Sequence, residues 1–299
     1  MNRRQFLMSS GAVIAPPSLT IPVDGARAAP LDGALKRLTE PGAGDNRATY
    51  LPDGKRLLFA SKRSGRSQIW AMEFGTGKAY RLHESAANDY GRVAPNSAGT
   101  RLCFSSDRSG ENAVYVLDLR SGHVTRVSDP KFWSFGPTWS SRDLIAFFSR
   151  KGGNKINIWT VHPDGLQARQ ITDRPGESRQ PWWSPDGGTL ALSADNGSGA
   201  FQVWLAAADG GGAHVITSDG SYQQPFWSPD GRRIAVSARR DEPNLRIYLM
   251  NAATGDDLQT FDQPDGVDNM HPAWSPDGRS VVFTSGKAEA AALWSFTFA

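Results

Sequence analysis

The sequence predicts an all-β fold, a six-bladed β-propeller whose blades are four-stranded antiparallel sheets. Three observations carry this expectation. A Trp-Ser-Pro-Asp-Gly unit recurs along the chain, an aliphatic–aromatic pair follows each copy, and the last copy lacks a fourth strand that a segment near the N-terminus could supply.

The unit is complete at residues 183–187, 227–231 and 274–278. Weaker copies stand at Tyr50-Leu-Pro-Asp-Gly54, Val93-Ala-Pro-Asn96 and Trp139-Ser-Ser-Arg142. The spacings between first residues are 43, 46, 44, 44 and 47. Periods of roughly 40–50 residues are those of propeller blades. The Trp-Ser pair ends a first strand, and Pro-Asp-Gly turns the chain, Pro presetting its own φ and Gly accepting a positive one. Apolar second strands follow, such as Leu57-Leu-Phe59 and Ile234-Ala-Val236. The third strands carry the pairs Ile69-Trp70, Val114-Tyr115, Ile158-Trp159, Val203-Trp204, Ile247-Tyr248 and Leu293-Trp294. Fourth strands read as in Arg169-Gln-Ile-Thr172.

The sixth unit stops at Ala299, just after its third strand. Residues 35–39, Leu-Lys-Arg-Leu-Thr, read as the missing fourth strand. Pairing the two would close the ring and remove an exposed sheet edge. The domain is thus expected over 29–299, with residues 1–28 as a separate leader.

Repeats of this kind resemble the TolB-like, WD-like propeller family, over about residues 35–299. The resemblance implies an envelope module that binds protein partners. TolB carries a mixed α/β domain before its propeller. Here only about six residues separate Ala28 from the closing strand, so the chain resembles a propeller-only member.

The leader opens with Asn2-Arg3-Arg4-Gln5-Phe6-Leu7, which resembles a twin-arginine export signal. A weakly apolar stretch to about Val23 follows, then Ala26-Arg27-Ala28, a small-x-small cleavage pattern. Cleavage after Ala28 and a periplasmic location are expected. No stretch of about 20 apolar residues exists, so no membrane span is expected. The whole chain carries a formal +3, and without the leader it is close to +1, which gives no reason to expect nucleic acid. The single cysteine, Cys103, lies in an apolar strand pattern and reads as core.

Catalytic signatures are missing. There is no Gly-x-Ser-x-Gly, no His-Glu-x-x-His, no zinc-type Cys/His spacing and no Gly-x-x-x-x-Gly-Lys loop. Of the five histidines, His83, His123, His162 and His214 fall in outer strands or turns, and His271 alone stands at an inner entrance. Neither a metal nor another cofactor is expected. Asp53, Asp186, Asp230 and Asp277 belong to the repeated turn and read as structural.

Two loop sets share one face. Three residues before each unit stand Arg47, Tyr90, Gly136, Gln180, Gln224 and His271, a polar ring around one channel mouth unless these are only solvated loop residues. The loops between second and third strands contribute Arg63, Arg108, Lys151, Asn196, Arg240 and Lys287, a basic ring unless each serves local bonding. Trp182 adjoins a repeat tryptophan and reads as packing between blades. Trp133 and Phe135 enter blade three where other blades are polar, as a partner anchor or a local mini-core. The expectation is a monomeric propeller binding an envelope protein or peptide without catalysis. The alternative is a lyase or hydrolase acting on an acidic glycan.

N-terminal sequencing of the exported protein is expected to begin at Ala29. A chain starting at Met1, or one retained in the cytoplasm, contradicts the leader assignment.

Overall fold

The computed structural model describes residues 30–195, 197–240 and 242–299; the expected leader and Asn196 lie outside the described residues. Six antiparallel sheets follow one another around an axis. Blade one, for example, is built from Asn46–Tyr50, Arg56–Ser61, Gln68–Glu73 and Ala79–Arg81, in that order from axis to rim. Neighbouring sheets bury apolar faces against each other, so the core is a set of inter-blade clusters. One joins Phe104 and Tyr115 of blade two to Leu58 and Ile69 of blade one.

The repeated unit builds the turn after the first strand, and its chemistry explains its composition. Ser184 Oγ donates to Asp186 Oδ1 at 2.5 Å, while the amides of Gly188 and Thr189 donate to Asp186 Oδ1 and Ser184 Oγ. Ser228 with Asp230 and Ser275 with Asp277 repeat the pattern at 2.6 Å. The serine hydroxyl is the main reason each of these aspartates sits below its ordinary pKa. In blade three Asp143 takes the glycine position with φ 59, and its carboxylate accepts from Trp139 Nε1 at 2.8 Å. Asp tolerates the left-handed region better than most residues, which is how a turn without Pro-Asp-Gly survives. Blade two turns over residues 96–99, where Gly99 N donates to Asn96 O at 2.9 Å, so Pro95 holds the place expected for Val93.

The ring closes as expected, two residues earlier along the chain. Gly33–Arg37 pairs with Ala292–Phe298, Leu35 facing Phe296. Leu38 and Thr39 continue this contact through amides donated to Leu293 O at 2.8 and 3.3 Å. Blade five has three strands, Ser221–Trp227, Arg233–Arg239 and Arg246–Asn251. Its fourth place is reduced to a bridge between Leu249 and Gln259. The chain beyond that bridge places Phe261, 1% exposed, against Phe296 with ring centroids 4.4 Å apart. Leu31 N donates to Thr260 O at 2.8 Å. Blade five therefore holds the closing segment in place.

Five of the eight repeat tryptophans, at 139, 159, 183, 227 and 274, are buried, and Trp70, Trp204 and Trp294 are half-buried. Cys103 is fully buried, and burial pushes its thiol pKa up.

Replacing a fully buried Phe by Ala costs about 3–5 kcal/mol. Phe261→Ala is expected to lower stability within that range in urea unfolding. A loss below 1 kcal/mol contradicts the assigned role of Phe261 in closure.

Candidate functional site

The geometry of the channel mouth starts with a bulge in each first strand. Arg47, Gln180, Gln224 and His271 adopt φ 59, 55, 58 and 57, and Gly136 adopts φ 62. For a non-glycine residue this conformation costs roughly 1–2 kcal/mol. Hydrogen bonds to the preceding blade offset it. Arg47 N donates to Thr284 Oγ1 at 3.0 Å, Gly136 N to Ser105 Oγ at 3.0 Å, Gln224 N to Ser193 Oγ at 3.1 Å and His271 N to Ser237 Oγ at 3.2 Å. Each acceptor lies on the second strand of the blade before. The same bond that ties two blades together thus fixes a side chain at the axis.

A cavity of about 70 Å³ opens here. It brings together Arg47, Gln180, Gln224, His271 and Phe135, all singled out in the sequence. It also contains Arg92, Phe148 and Trp182, which were not assigned to the mouth. Tyr90 does not line it. Blade two carries one extra residue in its bulge: Tyr90 and Ala94 face Ser105 and Cys103, where Asn46 and Thr49 of blade one face Ala60 and Leu58. Gly91, with φ 77, takes the bulge, and Arg92 enters the channel. Tyr90 instead donates its hydroxyl to Asp107 Oδ2 at 3.1 Å.

Trp133 also stays outside the lining. It stacks on Phe135 at 5.9 Å and meets Phe148 at 5.7 Å, so the aromatic segment packs on itself and turns Phe135 and Phe148 toward the cavity. Phe148 occupies the place that Ser105, Ser193, Ser237 and Thr284 hold in their blades. Trp182 packs between blades as expected and also reaches the axis. It stacks on Phe226 at 4.1 Å and lines both this cavity and a second one at the opposite face.

The polar groups form a connected set. Arg47 Nε donates to His271 Nε2 at 3.1 Å. A guanidinium has no acceptor, so His271 Nε2 must be the unprotonated nitrogen and Nδ1 carries the hydrogen. Nδ1 is buried with no partner. Gln224 Oε1 accepts from His271 N at 2.9 Å and from Ser237 Oγ at 2.7 Å. Gln180 Oε1 accepts from Gln224 N at 3.1 Å. Arg92 Nη1 donates to Pro272 O at 3.0 Å, and its guanidinium carbon lies 5.0 Å from the ring centres of both Trp182 and Phe226.

Among the described residues no carboxylate lines the cavity. Burial lowers the pKa of Arg47, and burial together with Arg47 pulls Arg92 down to about 9, still cationic at neutral pH. Burial, then Arg47 and Arg92, hold His271 well below its ordinary value, so its ring is neutral. These residues are half-buried because the cavity itself gives water-sized access to them.

The described members of the basic ring serve local bonding. Arg63 pairs with Asp45 at 2.5 Å, Arg108 with Asp89 at 2.9 Å and Lys151 with Asp129 at 3.1 Å. Arg240 pairs with Asp219 at 2.5 Å and Lys287 with Asp268 at 2.6 Å. Their charge is compensated, and no unopposed positive ring faces solvent there. Among the described residues no group of three His, Cys, Asp or Glu side chains could hold a metal ion. A cavity with one histidine between two guanidinium groups is also a poor fit for a cation.

His271 makes stability depend on pH. Its folded pKa lies below the unfolded value near 6.5, so protons bind the unfolded chain first as pH falls. Stability is therefore expected to decline below about pH 6.5, by up to about 1.4 kcal/mol per pH unit for this one group. His83, whose pKa burial also lowers, adds in the same direction. The turn aspartates act only below their ordinary range. Unfolding measured from pH 7.5 to 5 is expected to be flatter by about one proton in His271→Gln. Equal slopes contradict the neutral buried imidazole.

Comparison with known proteins places this geometry in a family. A segment of 64 residues is 42% identical to the Tol-Pal system protein TolB of Nitratidesulfovibrio vulgaris, covering 21% of this chain and 14% of that protein. The fold matches that of TolB from Acinetobacter baumannii with TM-score 0.62 at 17% identity, over 87% of this chain and 64% of that one. It also matches an oligogalacturonate lyase in complex with manganese, with TM-score 0.63 at 17% identity, over 91% and 94%. At these identities the structural likenesses speak for the fold. The model of the TolB beta propeller domain matches residues 92–297, and the chain belongs to that family.

Proposed function

We propose that the protein is a binding propeller of the bacterial envelope that captures a protein or peptide partner at its channel mouth and does not catalyse. One observation carries this reading. Among the described residues, the one histidine in the cavity has its basic lone pair committed to Arg47 Nε, and no carboxylate lines the wall. General base catalysis needs a basic lone pair within reach of the substrate proton. The cavity instead offers fixed hydrogen-bond donors beside an aromatic wall, the equipment of recognition.

Export by the twin-arginine route and cleavage after Ala28 belong to the same proposal, as does action as a monomer. Likeness to a protein of the Tol-Pal system supports an envelope partner. Likeness to an oligogalacturonate lyase keeps an acidic-glycan enzyme as the competing reading. That reading requires a general base, and among the described residues of the lining His271 is the one candidate, its Nε2 facing Arg47.

Capture of an envelope partner is expected to fall at least tenfold in the double variant Arg47→Ala, His271→Ala, with the fold checked by circular dichroism. Polyuronate incubated with the wild-type protein is expected to yield no unsaturated product by ultraviolet absorbance. Undiminished capture removes the mouth as the binding surface, and product formation replaces the binding reading with a lyase.

A further inference from the structure

Every side-chain hydrogen-bonding group that lines the cavity has donors left to offer. Gln180 and Gln224 have committed their oxygens, which leaves the amide N–H groups. His271 presents Nδ1–H, a buried donor without a partner. Arg47 and Arg92 supply guanidinium N–H groups and two positive charges, and neither makes an ion pair among the described residues. Burying unpaired cations side by side is unfavourable unless an anion completes them. A planar guanidinium matches a carboxylate in shape as well as in charge.

Trp182, stacked on Phe226 and capped by the Arg92 guanidinium, forms the partition from the chamber at the opposite face. A chain end that enters from the mouth meets Trp182 and the Arg92 guanidinium at the floor. We propose that the floor binds one carboxylate, the C-terminus of a peptide, between the guanidinium groups of Arg47 and Arg92. This rests on the channel mouth being the binding surface.

The test uses three small probes on the whole protein: N-acetyl-alanine, its neutral amide, and galacturonate. Binding is followed by calorimetry and by tryptophan fluorescence, since Trp182 touches Arg92. N-acetyl-alanine is expected to bind at least tenfold more tightly than the amide. Arg92→Gln is expected to lose that preference and Arg92→Lys to retain part of it. The lysine variant keeps the test valid if the glutamine variant does not fold. Equal affinity for acid and amide, or an unchanged preference in Arg92→Gln, overturns the carboxylate site. It leaves the mouth standing if partner capture still depends on Arg47 and His271. Galacturonate binding in place of N-acetyl-alanine overturns the peptide assignment and, with it, the protein-partner reading.

Discussion

A sheet in a propeller has two apolar faces, and each must be covered by a neighbour. In a row of six sheets the first and last would each leave one face and one edge in water. Pairing Gly33–Arg37 with Ala292–Phe298 makes the row a ring. The remaining architecture depends on this contact, because the channel exists only when six first strands surround it. The closure is reinforced from an unexpected side. Blade five gives up its fourth strand and sends Phe261 into the cluster formed by Phe283 and Phe296. The Leu31 amide, bound to Thr260 O, then holds the segment that leads into the closing strand.

The ring also sets the chemistry of the site. Arg47, Gly136, Gln224 and His271 each place the bulge amide on a hydroxyl of the preceding blade, so there inter-blade geometry and side-chain direction are one constraint. Where the hydroxyl is replaced, the site changes character. Phe148 stands at that position in blade three and contributes an aromatic wall. The local strain of left-handed Arg47, Gln180, Gln224 and His271 is concentrated where the ligand is proposed to bind, as strained backbone often is. The compensated pairs on the outer loops serve a different purpose. Asp45 and Asp89 are fully buried, and Arg63 and Arg108 balance them. Inside the channel, Arg47 and Arg92 make no ion pair among the described residues.

The fold was legible because a turn with strict chemical demands repeats. In blades four, five and six Ser and Asp together satisfy the amides after the turn, and there the unit survives as a visible signature. Strand spacing then located Arg47, Gln180, Gln224 and His271 correctly at the axis. It misplaced blade two, where a single inserted residue moved Arg92 into the cavity and Tyr90 away from it. A bulge of three residues instead of two leaves no mark in the sequence beyond Gly91, whose left-handed backbone is the one available signal. The reach of Trp182 to the axis was hidden for another reason. Two adjacent tryptophans on a strand point to opposite faces in a regular ladder, but the bulge before Trp182 redirects it to the axis. The pairing of the basic loops was open in the sequence, since the aspartates that meet them come from 18–22 residues before each basic residue.

The central claim is that the cavity presents donors and unopposed positive charge around a neutral imidazole. The nitrogen resonances of the His271 ring, measured by NMR between pH 6 and 8, test this most directly. The account predicts a single neutral tautomer across that range, with the hydrogen on Nδ1 and Nε2 bare. A ring that titrates within it, or one protonated on Nε2, would contradict the account.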